Sequence, residues 1–273
     1  MKRTTQRRQR VIEQYNDAEI LNERYRLYRE YCNVNRLHWL FNQFDLREPC
    51  RILDVGCGNG LLWRENQKRI PKGWRLTMMD LSPAMVQDAR RWLAPLFPGI
   101  QWGVADIRHL PFASATFDAV IANNMLYHVK PGRSVALEEI RRVLKPGGTL
   151  YAGAHGLGHF RVLIDMAREF RNQHPWSQWF RRRQPSPSVD GFHIENGERQ
   201  LQPWFASVGL TRIAGTFIVP SPEPIAAYVR TRERFTPDEL VKFTDFVRAR
   251  IAKRGPIQVS WEVGLFIARR ASE

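Results

Sequence analysis

The chain has 273 residues, 43% of them hydrophobic, enough for one sizeable core with an added lid. It contains no apolar run of about 18 residues, which excludes a membrane-spanning helix, and its basic N-terminus lacks the apolar stretch of a secretory signal, so a cytoplasmic location is expected. The formal net charge of +15 is diffuse, densest in Lys2-Arg3 with Arg7, Arg8 and Arg10 and in Arg181-Arg182-Arg183, and is compatible with a solvated arginine-rich surface or with an anionic partner such as nucleic acid. Three cysteines, Cys32, Cys50 and Cys57, form no C-x-x-C pair, which argues against a disulfide framework and a structural zinc site.

Between residues 11 and 44, apolar and aromatic side chains recur at helical spacing, as in Ile20, Tyr25, Tyr28 and Tyr31, then Leu37, Leu40, Phe41 and Phe44, and predict two or three helices. Arg51-Ile52-Leu53-Asp54-Val55 is a short apolar run ending in Gly56-Cys57-Gly58-Asn59-Gly60, after which Leu61-Leu62-Trp63 resume a helix-compatible pattern. This predicts a buried parallel strand, a tight turn and a helix start. Alternate glycines let a ligand lie against the main chain, the helix start offers unpaired N–H groups, and Asp54 can accept hydrogen bonds in the same crevice. A dinucleotide-binding turn would carry its third glycine at position 61, where this chain has Leu61.

A helix from Leu61 to Ile70 is expected to end before Pro71-Lys72-Gly73, and Trp74 to Asp80 to form the second strand. Ligands of a parallel doubly wound sheet bind outside the C-terminal strand ends, so Asp80, about 20 residues beyond the turn, suits two ribose hydroxyls; the alternative is a plain acid before the helix that Ser82-Pro83 opens. Ile100 to Val104 reads as the third strand. Asp106 beyond it can accept the exocyclic amine of an adenine while the Ile107 N–H meets a ring nitrogen, or can be a turn-forming Asp. Phe117 to Asn123 is the fourth strand, a sheet-covering helix runs between Pro131-Gly132 and Lys145, and Thr149 to Ala154 is the fifth strand, ending at His155.

D-x-G-x-G-x-G at 54–60, the acid Asp80, A-D-x-x-x-L-P-F at 105–112, F-D-x-V at 117–120 and L-K-P-G-G at 144–148 stand in this order. Over residues 50 to 154 the chain thereby resembles class I S-adenosylmethionine-dependent methyltransferases, and most the bacterial small-molecule group that includes the ubiquinone and menaquinone type. The resemblance implies a doubly wound, Rossmann-like α/β fold with a seven-stranded, mostly parallel sheet whose last strand is antiparallel, plus helical N-terminal and lid segments. It implies S-adenosylmethionine as cofactor, contacted by Gly56, Gly58, Asp80, Asp106, Ile107 and Asn123, with Asp54, Cys57, Leu81 and Asn124 beside them. In such enzymes the N-terminal region folds over the cofactor, which would bring Tyr15 to it, and Arg24 to its carboxylate by a charge-assisted bond; otherwise Tyr15 is packing and Arg24 is surface.

From Leu157 the pattern fades. Phe160, Leu163, Met166, Ala167 and Phe170 mark an amphipathic helix, followed by Trp176, Trp179, Phe180, the arginine triplet and Pro185-Ser186-Pro187-Ser188. We expect this insertion to be a lid that shapes an apolar acceptor pocket, or its tryptophans to pin the helix to the core. A helix from Asn196 to Val208, a sixth strand from Leu210 to Val219, a helix opened by the capping-box signature Thr236-Pro237-Asp238-Glu239 and a last strand alternating Val259, Trp261, Val263, Leu265 and Ile267 complete the chain. The expected organisation is a single domain, 1–273: an N-terminal helical cap at 1–48, a cofactor-binding core at 50–154, a lid and acceptor-pocket insertion at 157–195, and the C-terminal part of the sheet at 196–273.

Methyl transfer from a sulfonium is an in-line displacement that needs an aligned acceptor lone pair and exclusion of water. Where the acceptor must lose a proton, His128, just past the fourth strand, is the candidate base, with Tyr127 beside it; a loop-capping histidine is the alternative. His155, His159, Trp176 and Trp179 are candidates for the acceptor side. No metal is expected, because Asn123-Asn124 and His155 stand where catechol-type enzymes carry an acidic cluster. The leading reading is a methyltransferase acting on a small molecule, a natural product or secondary metabolite. A ribosomal or transfer RNA methyltransferase, motivated by charge but lacking an N-P-P-Y-type motif, and a non-catalytic S-adenosylmethionine-binding protein are the competing readings. The oligomeric state is not legible.

Overall fold

The computed structural model describes residues 2–16, 18–173, 191–232 and 235–273. Three helices, α1 (Lys2–Gln14), α2 (Ala18–Tyr31) and α3 (Arg36–Phe41), precede the sheet. α3 starts where it does because the Asn35 side chain accepts from the backbone N–H groups of Leu37 and His38. Its buried Leu37, Leu40 and Phe41 pack against Trp63 and Trp74 on one face of the sheet.

The strands and helices then alternate: β1 (Cys50–Val55), α4 (Leu61–Glu65), β2 (Trp74–Asp80), α5 (Pro83–Leu93), β3 (Gln101–Val104), β4 (Phe117–Asn123), α6 (Arg133–Val143) and β5 (Leu144–His155). After them come α7 (Arg161–Gln173), α8 (Ile194–Leu201), β6 (Ser207–Val219), α9 (Pro222–Arg232), α10 (Pro237–Arg254) and β7 (Ile257–Arg269). One seven-stranded sheet results, in the order β3-β2-β1-β4-β5-β7-β6. β1 to β5 are parallel, and β7 lies antiparallel between β5 and β6, as the expected doubly wound fold requires. Ile52 faces the cluster that holds Trp63, while Leu53 and Val55 face the opposite cluster with α6, which is why β1 reads as a continuous apolar run rather than an alternating one. The order reverses between β1 and β4, so the ends of these strands open a crevice there.

Boundaries moved where side chains compete with the backbone. The helix expected to run to Ile70 stops at Glu65, because buried Asn66 donates its side-chain amide to the carbonyls of Leu62 and Leu37 and a 3-10 turn, Gln67–Arg69, follows. β5 begins at Leu144 rather than Thr149. Its register against β4 jumps from Phe117↔Leu144 to Ala119↔Thr149, so Lys145-Pro146-Gly147-Gly148 is an irregularity within the strand. α8 starts two residues before Asn196 and ends at Leu201, short of Val208, since Pro203 follows, and β6 begins at Ser207. The capping box of α10 forms as expected: Glu239 N donates to Thr236 Oγ1 and Thr236 N to Glu239 Oε2.

Within the insertion expected at 157–195, α7 buries Leu163, Met166, Ala167 and Phe170 in a second core with α9, α10 and β7. Trp176, Trp179, Phe180 and the arginine triplet lie outside the described residues. Among the described residues no helix is long and apolar enough to cross a membrane.

Candidate active site

A cavity of about 200 Å³ runs from the glycine turn after β1 to Phe160 at the head of α7. Every site residue expected from the sequence lines it, apart from Trp176 and Trp179, which lie outside the described residues. At the turn, Gly56, Gly58 and Gly60 have φ of 72°, 56° and 74°, the left-handed region that glycine enters without strain. Gly56 N and Cys57 N donate to the Met79 carbonyl at 2.7 and 3.0 Å. Asp80 ties the turn to the start of α5: its Oδ2 accepts from Gly58 N and its Oδ1 from Ser82 N, both at 2.9 Å. Burial raises the Asp80 carboxyl, and these N–H donors pull it back. Leu81 follows on the cavity wall.

Asp54 is 3% exposed. Its Oδ2 accepts from Trp63 Nε1 at 2.7 Å, and burial, opposed by that bond and helped by Asp80, pushes its carboxyl up to about 7. Three buried oxygens of cavity-lining residues, Asp54 Oδ1, Asn59 Oδ1 and Asn124 Oδ1, have no hydrogen-bond partner among the described residues. Such acceptors fit a ligand that brings donors, as an ammonium and sugar hydroxyls do. Beyond β3, Asp106 is bound by Arg108, whose N and Nε reach Oδ1 at 3.0 and 2.9 Å and whose Nη2 reaches Oδ2 at 2.5 Å, with Arg8 at 3.9 Å. Burial works to raise this carboxyl, but Arg108 and Arg8 hold it below the usual range. Ile107 is buried beside it. Asn123 ends β4, and Asn124 sits at φ 53° with its amide donating to Asn123 Oδ1.

At the other end, segments far apart in sequence meet. Tyr15, just after α1, places its hydroxyl 2.8 Å from His128 Nε2, and Arg24 Nη1 donates to the same hydroxyl at 2.7 Å. Arg24 also donates to the side chain and carbonyl of Thr231, so the arginine expected at the cofactor's carboxylate spans α2 and α9. Tyr127 adjoins His128 in the turn Leu126–His128, and burial raises its phenol. His155, at the end of β5, stacks on His159 with ring centroids 3.9 Å apart. His159 Nδ1 donates to the Glu262 carbonyl at 2.8 Å, which leaves Nε2 to accept from Tyr28 at 2.9 Å.

Burial, then Arg36 and Arg232, push the His159 imidazole down to about 3 against the opposing bond to Glu262, and burial with the neighbouring His159 holds His155 well below its usual range. Below pH 6.5 the unfolded chain therefore binds protons that folded His159 refuses. Its contribution to stability is complete above 6.5 and is lost as pH falls toward 3, by about 1.4 kcal/mol per pH unit. Asp54 acts in the opposite sense, keeping its proton in the folded state up to about 7. Subtraction isolates the histidine: the stability gap between wild type and His159→Asn, from urea midpoints, should narrow by about 2 kcal/mol between pH 6.5 and 5. A gap that does not change with pH would mean that His159 titrates normally.

Sequence reasoning missed Tyr28, Arg36, Tyr228 and Arg232 on the cavity wall, and Arg108 on Asp106. In the sequence Tyr28 is one member of a helical stripe, and an arginine opening a short helix carries no local signal.

A sheet of this order, with a glycine turn at its switch point and carboxylates at or just past the ends of β1, β2 and β3, defines a nucleoside-cofactor-binding α/β protein. Residues 52–148 match the family described as "Methyltransferase domain". Over that core, about a third of its length, the chain is similar to methyltransferases. It is similar to an uncharacterized methyltransferase of Mycobacterium tuberculosis, 37% identical over 99 residues, 36% of this chain and 47% of that protein. It is also similar to the ubiquinone biosynthesis O-methyltransferase of Xanthomonas oryzae pv. oryzae, 36% identical over 120 residues, 44% of this chain and 48% of that protein. The chain thus spans about half the length of these relatives. A crystal structure of a Bacillus halodurans protein superposes with a TM-score of 0.60 at 19% identity over 86% of this chain and 98% of that one, a likeness of fold.

Proposed function

We propose that the protein transfers a methyl group from S-adenosylmethionine to a small-molecule acceptor, a natural product or other metabolite, without a metal. The observation that carries this reading is a single cavity lined at one end by the glycine turn, Asp80 and Asp106 and at the other by His128, His155, His159 and Phe160. Asp80 would keep lone pairs for the ribose hydroxyls, Asp54 Oδ1 and Asn59 Oδ1 would accept from the amino-acid end, and Asp106 with the Ile107 N–H would meet the adenine. The cofactor supplies an electrophilic methyl on a positively charged sulfur. Against it, Tyr28, Phe160 and Tyr228 hold the acceptor's apolar body and exclude water, so that its lone pair forms the new bond to carbon as the carbon–sulfur bond breaks. Where that lone pair is masked by a proton, His128 takes it.

Asp80→Ala tests the cofactor half. It should weaken S-adenosylmethionine binding by about 1.5–3 kcal/mol, the loss of hydrogen bonds to a charged group, in a protein that still melts cooperatively. Titration calorimetry beside a thermal melt measures both, and unchanged affinity with the fold intact would remove Asp80 from the site.

A further inference from the structure

We infer that the acceptor carries an anionic oxygen group, a carboxylate or a phosphate, received by Arg36 where the cavity meets α3. Arg36 is 7% exposed and lines the cavity. Its guanidinium carbon lies 3.3 Å from the centroid of the Tyr28 ring and 5.3 Å from that of Tyr25. Among the described residues it has neither a carboxylate partner nor a side-chain hydrogen bond. A guanidinium cannot shed its proton, and a buried cation is costly unless its charge and its donors are met. The two tyrosine faces meet the charge in part. They leave the N–H fork without an acceptor, and that fork matches a carboxylate or phosphate in two-point contact.

The surroundings point to the same ligand. Arg24 and Arg232 add positive charge to this end of the cavity. The carboxylates among the lining residues are Asp54, Asp80 and Asp106; Asp54 holds Trp63, Asp80 holds the turn and the start of α5, and Asp106 holds Arg108. The His155 side chain makes no hydrogen bond among the described residues, and its neutral ring, held so by burial, His159 and the arginines, keeps an N–H to donate. A neutral acceptor filling the cavity would leave the Arg36 fork and the His155 donor without a partner, whereas an oxyanion satisfies both.

This inference rests on the proposed methyltransferase cleft, and the test separates the two. The full chain saturated with S-adenosylhomocysteine is titrated calorimetrically with phenylacetate, phenyl phosphate and the neutral phenylacetamide. At least one anion should bind about tenfold or more tightly than the amide, and Arg36→Met should erase that preference while S-adenosylhomocysteine affinity stays within about twofold. Which anion binds more tightly distinguishes carboxylate from phosphate. Equal binding of anions and amide, no anion binding at about 10 mM, or a preference that survives Arg36→Met overturns the inference. So does a fall in S-adenosylhomocysteine affinity equal to the fall for the anions, which would assign Arg36 to the cofactor. If Arg36→Met does not fold, Arg36→Lys should retain the preference and Arg36→Gln lose it. Failure of the wild type to bind S-adenosylhomocysteine removes the methyltransferase reading instead, and the anion preference, measured without cofactor, still decides the anion site.

Discussion

His128→Ala is expected to lower turnover by about 10²–10⁴-fold while cofactor affinity changes by no more than a few fold, the signature of a base that acts in the transition state. The geometry around it sets the terms. Arg24 can only donate, so its Nη1–H occupies one lone pair of the Tyr15 hydroxyl, and His128 Nε2 lies 2.8 Å from the same oxygen; in the tautomer with Nε2 unprotonated, the tyrosine's own proton points to it. In that tautomer Nε2 is unprotonated, the state a base requires, with its lone pair held by the tyrosine. An acceptor proton reaches it through Tyr15, which gives its proton to Nε2 as it takes another, or directly once the tyrosine swings aside. Tyr15→Phe distinguishes these routes: the relay predicts a loss matching that of His128→Ala, the direct route a loss of only a few fold. Both variants are assayed for turnover, cofactor binding and melting temperature once an acceptor is in hand. Near wild-type turnover in His128→Ala would reduce His128 to a pocket wall, and lowered stability with loosened cofactor binding would make it a loop cap.

Gly56→Val should cost about 2–4 kcal/mol of folding stability and remove detectable cofactor binding, because two independent penalties add. The residue sits at φ 72°, closed to a β-branched side chain, and a Cβ there would lie 2.8 Å from both Cβ and Cγ of Met125. The turn cannot slide away, since Gly56 N and Cys57 N are both bonded to the Met79 carbonyl. Gly99→Val is the matched control: a Cβ at Gly99 meets nothing within 4 Å, and its effect should stay within about 0.5 kcal/mol. Urea midpoints for the two variants measure the difference, and equal midpoints would show that the turn accepts a side chain.

The contrast between these sites explains what was legible in the sequence. Gly56, Asp80, Asp106 and Asn123 lie at strand ends or one turn beyond, and strands announce themselves as apolar runs bounded by turn residues, so the chemistry of the cofactor half follows from local spacing. His128 was legible for the same reason, as the loop after β4. Arg36 was not, because what makes it unusual is its burial between Tyr25 and Tyr28 with no counter-ion among the described residues, a property of how α2 and α3 close over the sheet. The bond from Arg24 to Tyr15 and Thr231 joins residues 207 positions apart, and no window along the chain contains it. The early stop of α4 was hidden in one side chain, Asn66, whose amide reaches two carbonyls that spacing could not pair.

The N-terminal segment is fastened over the crevice by polar contacts: Ser82 Oγ to the Tyr15 carbonyl at 2.8 Å, Asn59 Nδ2 to Asn22 Oδ1 at 3.0 Å, and Arg24 to Thr231. Water replaces such bonds at about 0.5–1.5 kcal/mol each, far less than repacking an apolar core would demand. Leu27 and Tyr28 anchor the later part of α2 in the apolar core, so the residues before them are the cheaper part to detach, and release of a spent cofactor is expected to depend on these fastenings as well as on its own contacts. The residence time of S-adenosylhomocysteine, and with it the ceiling on repeated turnover, should then respond to substitutions at Asn22 and Arg24.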